Sequence, residues 1–191
     1  MEPLILASSS PRRATLLQQI GFPFEVIVSN CDETDVSFDD PAAGAVTLAL
    51  RKAQTVAQAI SQSGRIVLGA DTIVVVDGQT LGKPADADDA VAMLKRLTGR
   101  THRVITGIAL IETGTLRLAT FHEETLVYMR AFDDGETRQY VATGEPLDKA
   151  GAYGAQGYGA VLIERVEGCF HNVVGLPLAR VVTALRAFRN Q

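Results

Sequence analysis

A carboxylate stands in a run of residues that gives it little polar company. Asp71 lies inside Ile66-Val67-Leu68-Gly69-Ala70-Asp71-Thr72-Ile73-Val74-Val75-Val76, where almost every neighbour is apolar. Burying an ionised carboxyl is costly unless it is paired, hydrogen-bonded or bound to a metal. One reading is an aspartate at a strand bend, helped by Gly69 and making local hydrogen bonds. The other is a carboxylate projected from a rigid strand into a cleft, as a metal ligand or general base. Glu33, within Asp32-Glu33-Thr34, is the natural second carboxylate. Acidic loops are usually just solvated. Together with Asp71, however, Glu33 could hold a hard divalent cation, because magnesium takes one or two protein carboxylates with phosphate oxygens and waters completing its shell.

The cations form the complementary set. Ser8-Ser9-Ser10-Pro11-Arg12-Arg13 follows the apolar run Leu4-Ile5-Leu6-Ala7 and leads into Ala14-Thr15-Leu16-Leu17. Ser10 suits the N-cap of a helix and Pro11 its first position. The helix dipole disfavours positive charge at that end, so two arginines in the first turn call for a reason. A bound phosphate is one, since free N–H groups and forked guanidinium groups converge on the same oxyanion. A capped helix with two solvated arginines is the other reading, and these six residues do not decide between them. Lys52, Lys83 and Lys149 are each open to reading as surface lysines. With Arg12 and Arg13 they could neutralise a triphosphate, which an acidic protein must meet with a local cluster of cations.

The stretch from Glu145 through Gly159 is dense in glycine but matches neither the Walker pattern nor G-x-G-x-x-G. Glycines allow a flat ligand close to the backbone, or they merely permit tight turns. Gln156 offers both a donor and an acceptor, as the imide edge of a pyrimidine requires.

These residues need a scaffold, and the sequence alternates strands with helices. Strands are expected over Leu4 to Ala7, Phe24 to Ser29, Ile66 to Val76 and Ala160 to Val166. A long ribbon is expected from His102 to Ile111 and Leu116 to Met129, turning near Thr113-Gly114. Helices are expected over Arg12 to Ile20, Ala42 to Gln62, Asp86 to Leu97, Asp133 to Thr143 and Pro177 to Phe188. Asp77-Gly78 marks a hairpin turn. The pattern predicts one α/β domain over residues 1–191, with a mixed sheet flanked by helices and two lobes around a substrate cleft.

Composition narrows the function classes. A net charge of −4 argues against a non-specific nucleic-acid or anionic-membrane binder. Cys31 and Cys169 form no metal-type spacing and suggest no disulfide framework, and His102, His122 and His171 are too scattered for a zinc site. No run of about 18 apolar residues is present, and the N-terminus reads as a strand, so a cytoplasmic protein with no membrane partner is expected.

Taken together, the segments resemble the Maf-like nucleotide pyrophosphatase family. The resemblance is carried by Leu6-Ala7-Ser8-Ser9-Ser10-Pro11-Arg12-Arg13, Asp32-Glu33-Thr34, Ala49-Leu50-Arg51-Lys52-Ala53, Gly69-Ala70-Asp71-Thr72 and Gly82-Lys83-Pro84. It continues through Thr101-His102-Arg103-Val104-Ile105-Thr106-Gly107, Glu145-Pro146-Leu147-Asp148-Lys149-Ala150-Gly151-Ala152-Tyr153-Gly154 and Val173-Val174-Gly175-Leu176-Pro177. These fall in order with no large insertion; Ser9, where relatives often have Gly or Thr, is a mild variation. The resemblance implies hydrolysis of a nucleoside triphosphate to the monophosphate and pyrophosphate, assisted by a divalent metal (Mg2+, Mn2+ or Co2+). It also implies an elongated architecture related to inosine triphosphate pyrophosphatases, often as a homodimer.

By the same resemblance, the general base maps onto Asp71, with Glu33, Lys52 and Lys83 as further active-site groups and Glu33 with Asp71 holding the metal. Ser8 and Arg13 of the signature turn would contact substrate phosphate. The subgroup acting on dTTP and UTP has Arg, Thr and Gln at three specificity positions, and this chain has Arg12, Thr72 and Gln156 there. The subgroup preferring 7-methyl-GTP has Trp, Gln and Glu instead. A nucleotide-binding regulator of septum formation without turnover is the rival from another class; the full carboxylate and lysine set favours catalysis.

Overall fold

Leu4–Ala7 are all buried and form β1, the strand on which the signature turn is mounted. In this computed structural model, residues 2–115 and 117–190 are described. After β1 come α1 (Pro11–Gln19), β2 (Phe24–Val26), α2 (Pro41–Ala59), β3 (Ile66–Val76), β4 (Gln79–Leu81) and α3 (Ala87–Leu97). The ribbon strands β5 (Thr101–Glu112) and β6 (Leu118–Met129) follow, then α4 (Asp134–Ala142), β7 (Ile163–Glu167), α5 (Phe170–Val174) and α6 (Leu178–Arg189). The seven strands make one mixed sheet in the order β2-β1-β3-β5-β6-β7, with β4 paired to β3. Strand β1 runs parallel to β2 and β3, whereas β3–β4 and β6–β7 are antiparallel.

Several boundaries differ from the sequence expectation, each for a local reason. The second strand ends at Val26 instead of Ser29 because its partner β1 is only four residues long. The pairing Leu6↔Val26 and one bond from Ile27 N–H to the Leu6 carbonyl exhaust the available partners. Residues Tyr158–Leu162 form a 3-10 turn, which delays the last strand to Ile163. The short helix α5 was not expected, since five residues are too few to show a period. Leu116, expected to begin the second ribbon strand, lies outside the described residues. Three helices, α2, α3 and α4, start on aspartates. Asp40 accepts from the Ala42 and Ala43 N–H groups, Asp86 accepts from Asp89, and Asp133 forms a capping box with Glu136.

Contacts divide the chain into two compact units, the first comprising residues 1–71, 106–123 and 175–191, the second residues 72–105 and 124–174. In the first unit, Ala49, Ala53 and Val56 of α2 pack on Ile5, Val67 and Ala109. Two glycines let the helix lie unusually close. A Cβ on Gly69 would run into the Ala49 carbonyl oxygen and sit 2.9 Å from the Ala53 Cβ; one on Gly107 would strike the Ala45 carbonyl. The alanines of α2 meet the same need from the other side.

The second unit has its own core, in which Val74, Leu94, Val127, Met129, Phe132 and Leu162 meet. His102 is buried there with its Nε2 2.7 Å from the Tyr153 hydroxyl. Burial pushes the His102 pKa down to about 4, so the imidazole is neutral at physiological pH.

The glycine contact yields a stability prediction. Gly69→Ala is expected to lower unfolding free energy by at least about 2 kcal/mol, because the obstructing atom is helix backbone and cannot swing aside. Gly82→Ala, whose methyl meets nothing within 4 Å, is expected to change it by less than about 0.5 kcal/mol. Urea denaturation of both variants checks this, and similar values for the two would refute the close-packing account.

Candidate active site

Strand β3 runs unbroken through Asp71. Side chains alternate along a strand, so Asp71 shares the face of Gly69, the face on which α2 lies. On α2, Lys52 follows closely after Ala49 and precedes Ala53, the two residues that touch Gly69. The close approach therefore places the Lys52 ammonium against the strand, with Nζ 2.5 Å from Asp71 Oδ1 and 3.1 Å from Glu33 Oε1. The Lys52 and Asp71 side chains are each 12% exposed, whereas Glu33 is 56% exposed. Strand β3 continues through Asp71 without a bend, and the carboxylate is paired across elements with Lys52.

Glu33 sits on the acidic loop, and that loop is tied to the same helix. Arg51 donates from one guanidinium nitrogen to the carbonyls of Thr34 (2.8 Å) and Asp32 (3.3 Å), the residues on either side of Glu33. Asp32 Oδ1 in turn accepts the Thr34 N–H at 2.8 Å and hydroxyl at 2.7 Å, and these bonds hold the Asp32 carboxyl below its ordinary range. Adjacent residues of α2 thus do different work: Arg51 holds the loop backbone and Lys52 holds its carboxylate. Sequence reasoning treated Arg51 only as part of a motif; its partners are far away in the chain and left no local signal.

The signature turn departs from expectation. Ser10 occupies the N-cap position but makes no capping bond through its side chain. Ser8, which is buried, does the organising: its Oγ accepts the Ser10 N–H at 3.2 Å and an Arg13 guanidinium N–H at 3.0 Å. Arg13 is 8% exposed, not solvated, and its Nε donates to the Gly175 carbonyl at 2.8 Å. Burial lowers the Arg13 pKa; the negative charges of Asp71 and Glu33 oppose that shift and the positive charge of Arg12 adds to it. The turn and the carboxylate–lysine cluster therefore share one electrostatic field. Arg12, beside it, is half-buried.

The other expected site residues belong to the second unit. Thr72 is half-buried and immediately follows Asp71 on β3; Lys83 is exposed, between β4 and the buried Pro84; Gln156 is exposed on the glycine-dense segment. Lys149 is spent within its own segment, where its Nζ donates to the Glu145 carbonyl and to Asp148, both at 2.6 Å. That segment folds as three 3-10 turns around the Glu145 side chain. The Glu145 carboxylate accepts the Tyr158 N–H at 2.7 Å, the Gly159 N–H at 3.1 Å and the Tyr140 hydroxyl at 2.9 Å. Partial burial alone would raise its pKa, but these hydrogen bonds and Lys149 outweigh it and bring the carboxyl below its ordinary range.

Two carboxylate oxygens already converge on a single cation, the Lys52 ammonium. Hard oxygen donors of that kind suit a divalent ion whose remaining positions are taken by phosphate and water. Among the described residues no group of three or more His, Cys, Asp or Glu side chains assembles. Asp71 and Glu33 are the residues there that could hold part of such an ion's shell.

An α/β sheet that presents a carboxylate–lysine–carboxylate cluster in the field of a buried arginine has the groups that phosphoanhydride chemistry requires. The chain belongs to the family of Maf-like proteins, whose family model matches residues 3–188. A relative from Symbiobacterium thermophilum is 54% identical over 98% of this chain and 95% of its own length, and is named dTTP/UTP pyrophosphatase. Proteins of the same name from Pelotomaculum thermopropionicum (46% identical) and Bacillus cytotoxicus (48% identical) also align over 98% of this chain, and over 97% and 96% of their own lengths. No helix among the described residues is long and apolar enough to cross a membrane.

The unequal exposure of the two carboxylates predicts unequal coupling to Lys52. A double-mutant cycle with Lys52→Met and Asp71→Asn, followed by urea denaturation, is expected to give an interaction energy of about 1–3 kcal/mol. The cycle with Glu33→Gln is expected to give less than about 1 kcal/mol, because that pair faces water. Equal couplings would show that Lys52 is not seated on Asp71.

Proposed function

We propose that this protein is a nucleoside triphosphate pyrophosphatase that hydrolyses dTTP and UTP to the monophosphate and pyrophosphate. The observation that carries the reading is the Lys52 ammonium bridging Asp71 and Glu33, in a chain that aligns almost end to end with proteins named for that activity. Asp71 accepts a proton from water as it attacks the α-phosphorus, the bond from that phosphorus to the bridging oxygen breaks, and pyrophosphate departs. Lys52 orients the Asp71 carboxylate through its 2.5 Å contact. Ser8 and Arg13 serve the phosphates from the signature turn, with Lys83 as a further cation for the leaving group. Arg12, Thr72 and Gln156 select the base.

Asp71 and Glu33 would hold the divalent ion, Mg2+, Mn2+ or Co2+. When bound, it would polarise the phosphoryl oxygens and offset the charge that develops on pyrophosphate. The hard-oxygen donor set supports this assignment.

Pyrophosphate release across a panel of dTTP, UTP, dCTP, GTP and 7-methyl-GTP, with each metal in turn, tests the proposal. Turnover is expected to be highest on dTTP and UTP and to vanish with chelator. Asp71→Asn is expected to reduce kcat by about a thousandfold, in the range that loss of a general base produces, while circular dichroism stays unchanged. Gln156→Glu is expected to raise the KM for UTP about tenfold by replacing a needed donor with a negative charge. Near-normal hydrolysis by Asp71→Asn, or preference for 7-methyl-GTP, would refute the assignment.

A further inference from the structure

The glycine-dense segment has a centre that the proposed function leaves unused. The Glu145 side chain, together with Tyr140, bonds both ends of the stretch that carries Gln156. Its Oε1 accepts from Gly159 N–H and the Tyr140 hydroxyl, and its Oε2 accepts from Tyr158 N–H. The Tyr140 hydroxyl in turn accepts the Gly154 N–H at 2.9 Å. Gln156 therefore lies on a short excursion whose backbone is pinned at Gly154 on one side and at Tyr158 and Gly159 on the other.

The glycines fit this account better than ligand approach. A Cβ on Gly154 would stand 2.7 Å from Glu145 Oε1, and one on Gly157 would overlap Oε2 and lie 2.6 Å from the carboxyl carbon. A Cβ on Gly159 would stand 2.6 Å from the Tyr140 hydroxyl. The side-chain-free positions are those pressed against the carboxylate and its tyrosine. The backbone amides that could have bound an external anion are occupied by an internal one. Burial raises the Tyr140 pKa well above its ordinary value, so its hydroxyl stays protonated and donates to Glu145. Gln156 is exposed and gains no direction from packing. Its presentation must come from the backbone on either side.

We propose that Glu145 is a positioning residue for base selection: its carboxylate, with Tyr140, fixes the loop that presents Gln156 to the pyrimidine. The proposal rests on the reading of Gln156 given above. A carboxylate is required because all three of its partners are donors. An amide in its place turns an NH2 group towards either Tyr158 N–H or the pair formed by Gly159 N–H and the Tyr140 hydroxyl, setting donor against donor.

The test compares wild-type protein with Glu145→Gln, Tyr140→Phe and Gln156→Ala, all as full chains. It measures amide exchange over residues 154–159, kcat and KM for UTP, and the ratio of kcat/KM for UTP to that for GTP. Loss of a buried hydrogen bond is worth roughly one order of magnitude in an equilibrium constant. Both Glu145→Gln and Tyr140→Phe are expected to speed exchange of the loop amides about tenfold and to raise the UTP KM by about the same factor. They are also expected to erode the UTP-to-GTP ratio as Gln156→Ala does, with kcat altered less than about threefold. Tyr140→Phe keeps the ring and decides the matter if Glu145→Gln does not fold.

Faster exchange with an unchanged UTP-to-GTP ratio would overturn the proposal, leaving Glu145 a purely structural residue. A collapse of kcat at constant ratio would overturn it in favour of a role in the chemistry. Unchanged selectivity in Gln156→Ala would remove the residue being positioned and so overturn it too. Failure of the wider functional reading looks different: the wild-type chain itself would release no pyrophosphate.

Discussion

Everything in the candidate site refers back to one contact, the Lys52 ammonium held between Asp71 and Glu33. A carboxylate in a buried strand and a lysine on a buried helix face are each unfavourable alone, because neither keeps its water. Together they satisfy each other, but only if helix and strand come near enough for a single lysine to reach. Gly69 and Gly107 set that distance, because neither carries a Cβ where α2 passes. The apolar packing of alanines on glycines and the polar pairing next to it are thus one arrangement. Burial supplies the driving force, and the charge pair specifies which faces meet.

The surrounding side chains share a habit: they hold backbone. Arg51 grips the carbonyls flanking Glu33, Ser8 gathers an amide and a guanidinium, and Arg13 reaches the Gly175 carbonyl. Loops have little packing to hold them in place, so long polar side chains reaching from helices are the available means. The arrangement makes several charged residues structural before any substrate arrives. For Arg13 it reconciles two facts, a cation at the dipole-disfavoured end of α1 and its nearly complete burial. Burial lowers its pKa, the carboxylates of Asp71 and Glu33 counter that shift, and the hydrogen bonds fix its place.

Much of this was legible from the sequence, and the reason is periodicity. The buried run of β3 and the apolar stripe of α2 declare themselves within a few residues, and these elements, with α3 and α4, fall close to where they were expected. Asp71 stood out because a charge in such a run contradicts its surroundings. What could not be read were relations between residues distant in the chain. The burial of Arg13 depends on Gly175, and the role of Arg51 depends on a loop about twenty residues earlier. Ser10 had the right type and position for a cap but makes no capping bond through its side chain, while Ser8 accepts the Ser10 N–H and an Arg13 guanidinium N–H. Local propensity identified the position; what the hydroxyls bond to depends on Arg13, which the fold brings in.

The glycine-dense segment shows most clearly why composition is an ambiguous guide. Clustered glycines with nearby amides match what an external phosphate needs, and they match equally what an internal carboxylate needs. The two cases differ in a single respect, whether an acidic side chain is within reach of the amides. Here Glu145 lies at the start of the segment and folds back onto it, so the anion is covalently supplied and always present. A site filled by its own chain gains rigidity and loses the capacity to bind. The segment is therefore better suited to holding its own backbone in place than to gripping phosphate.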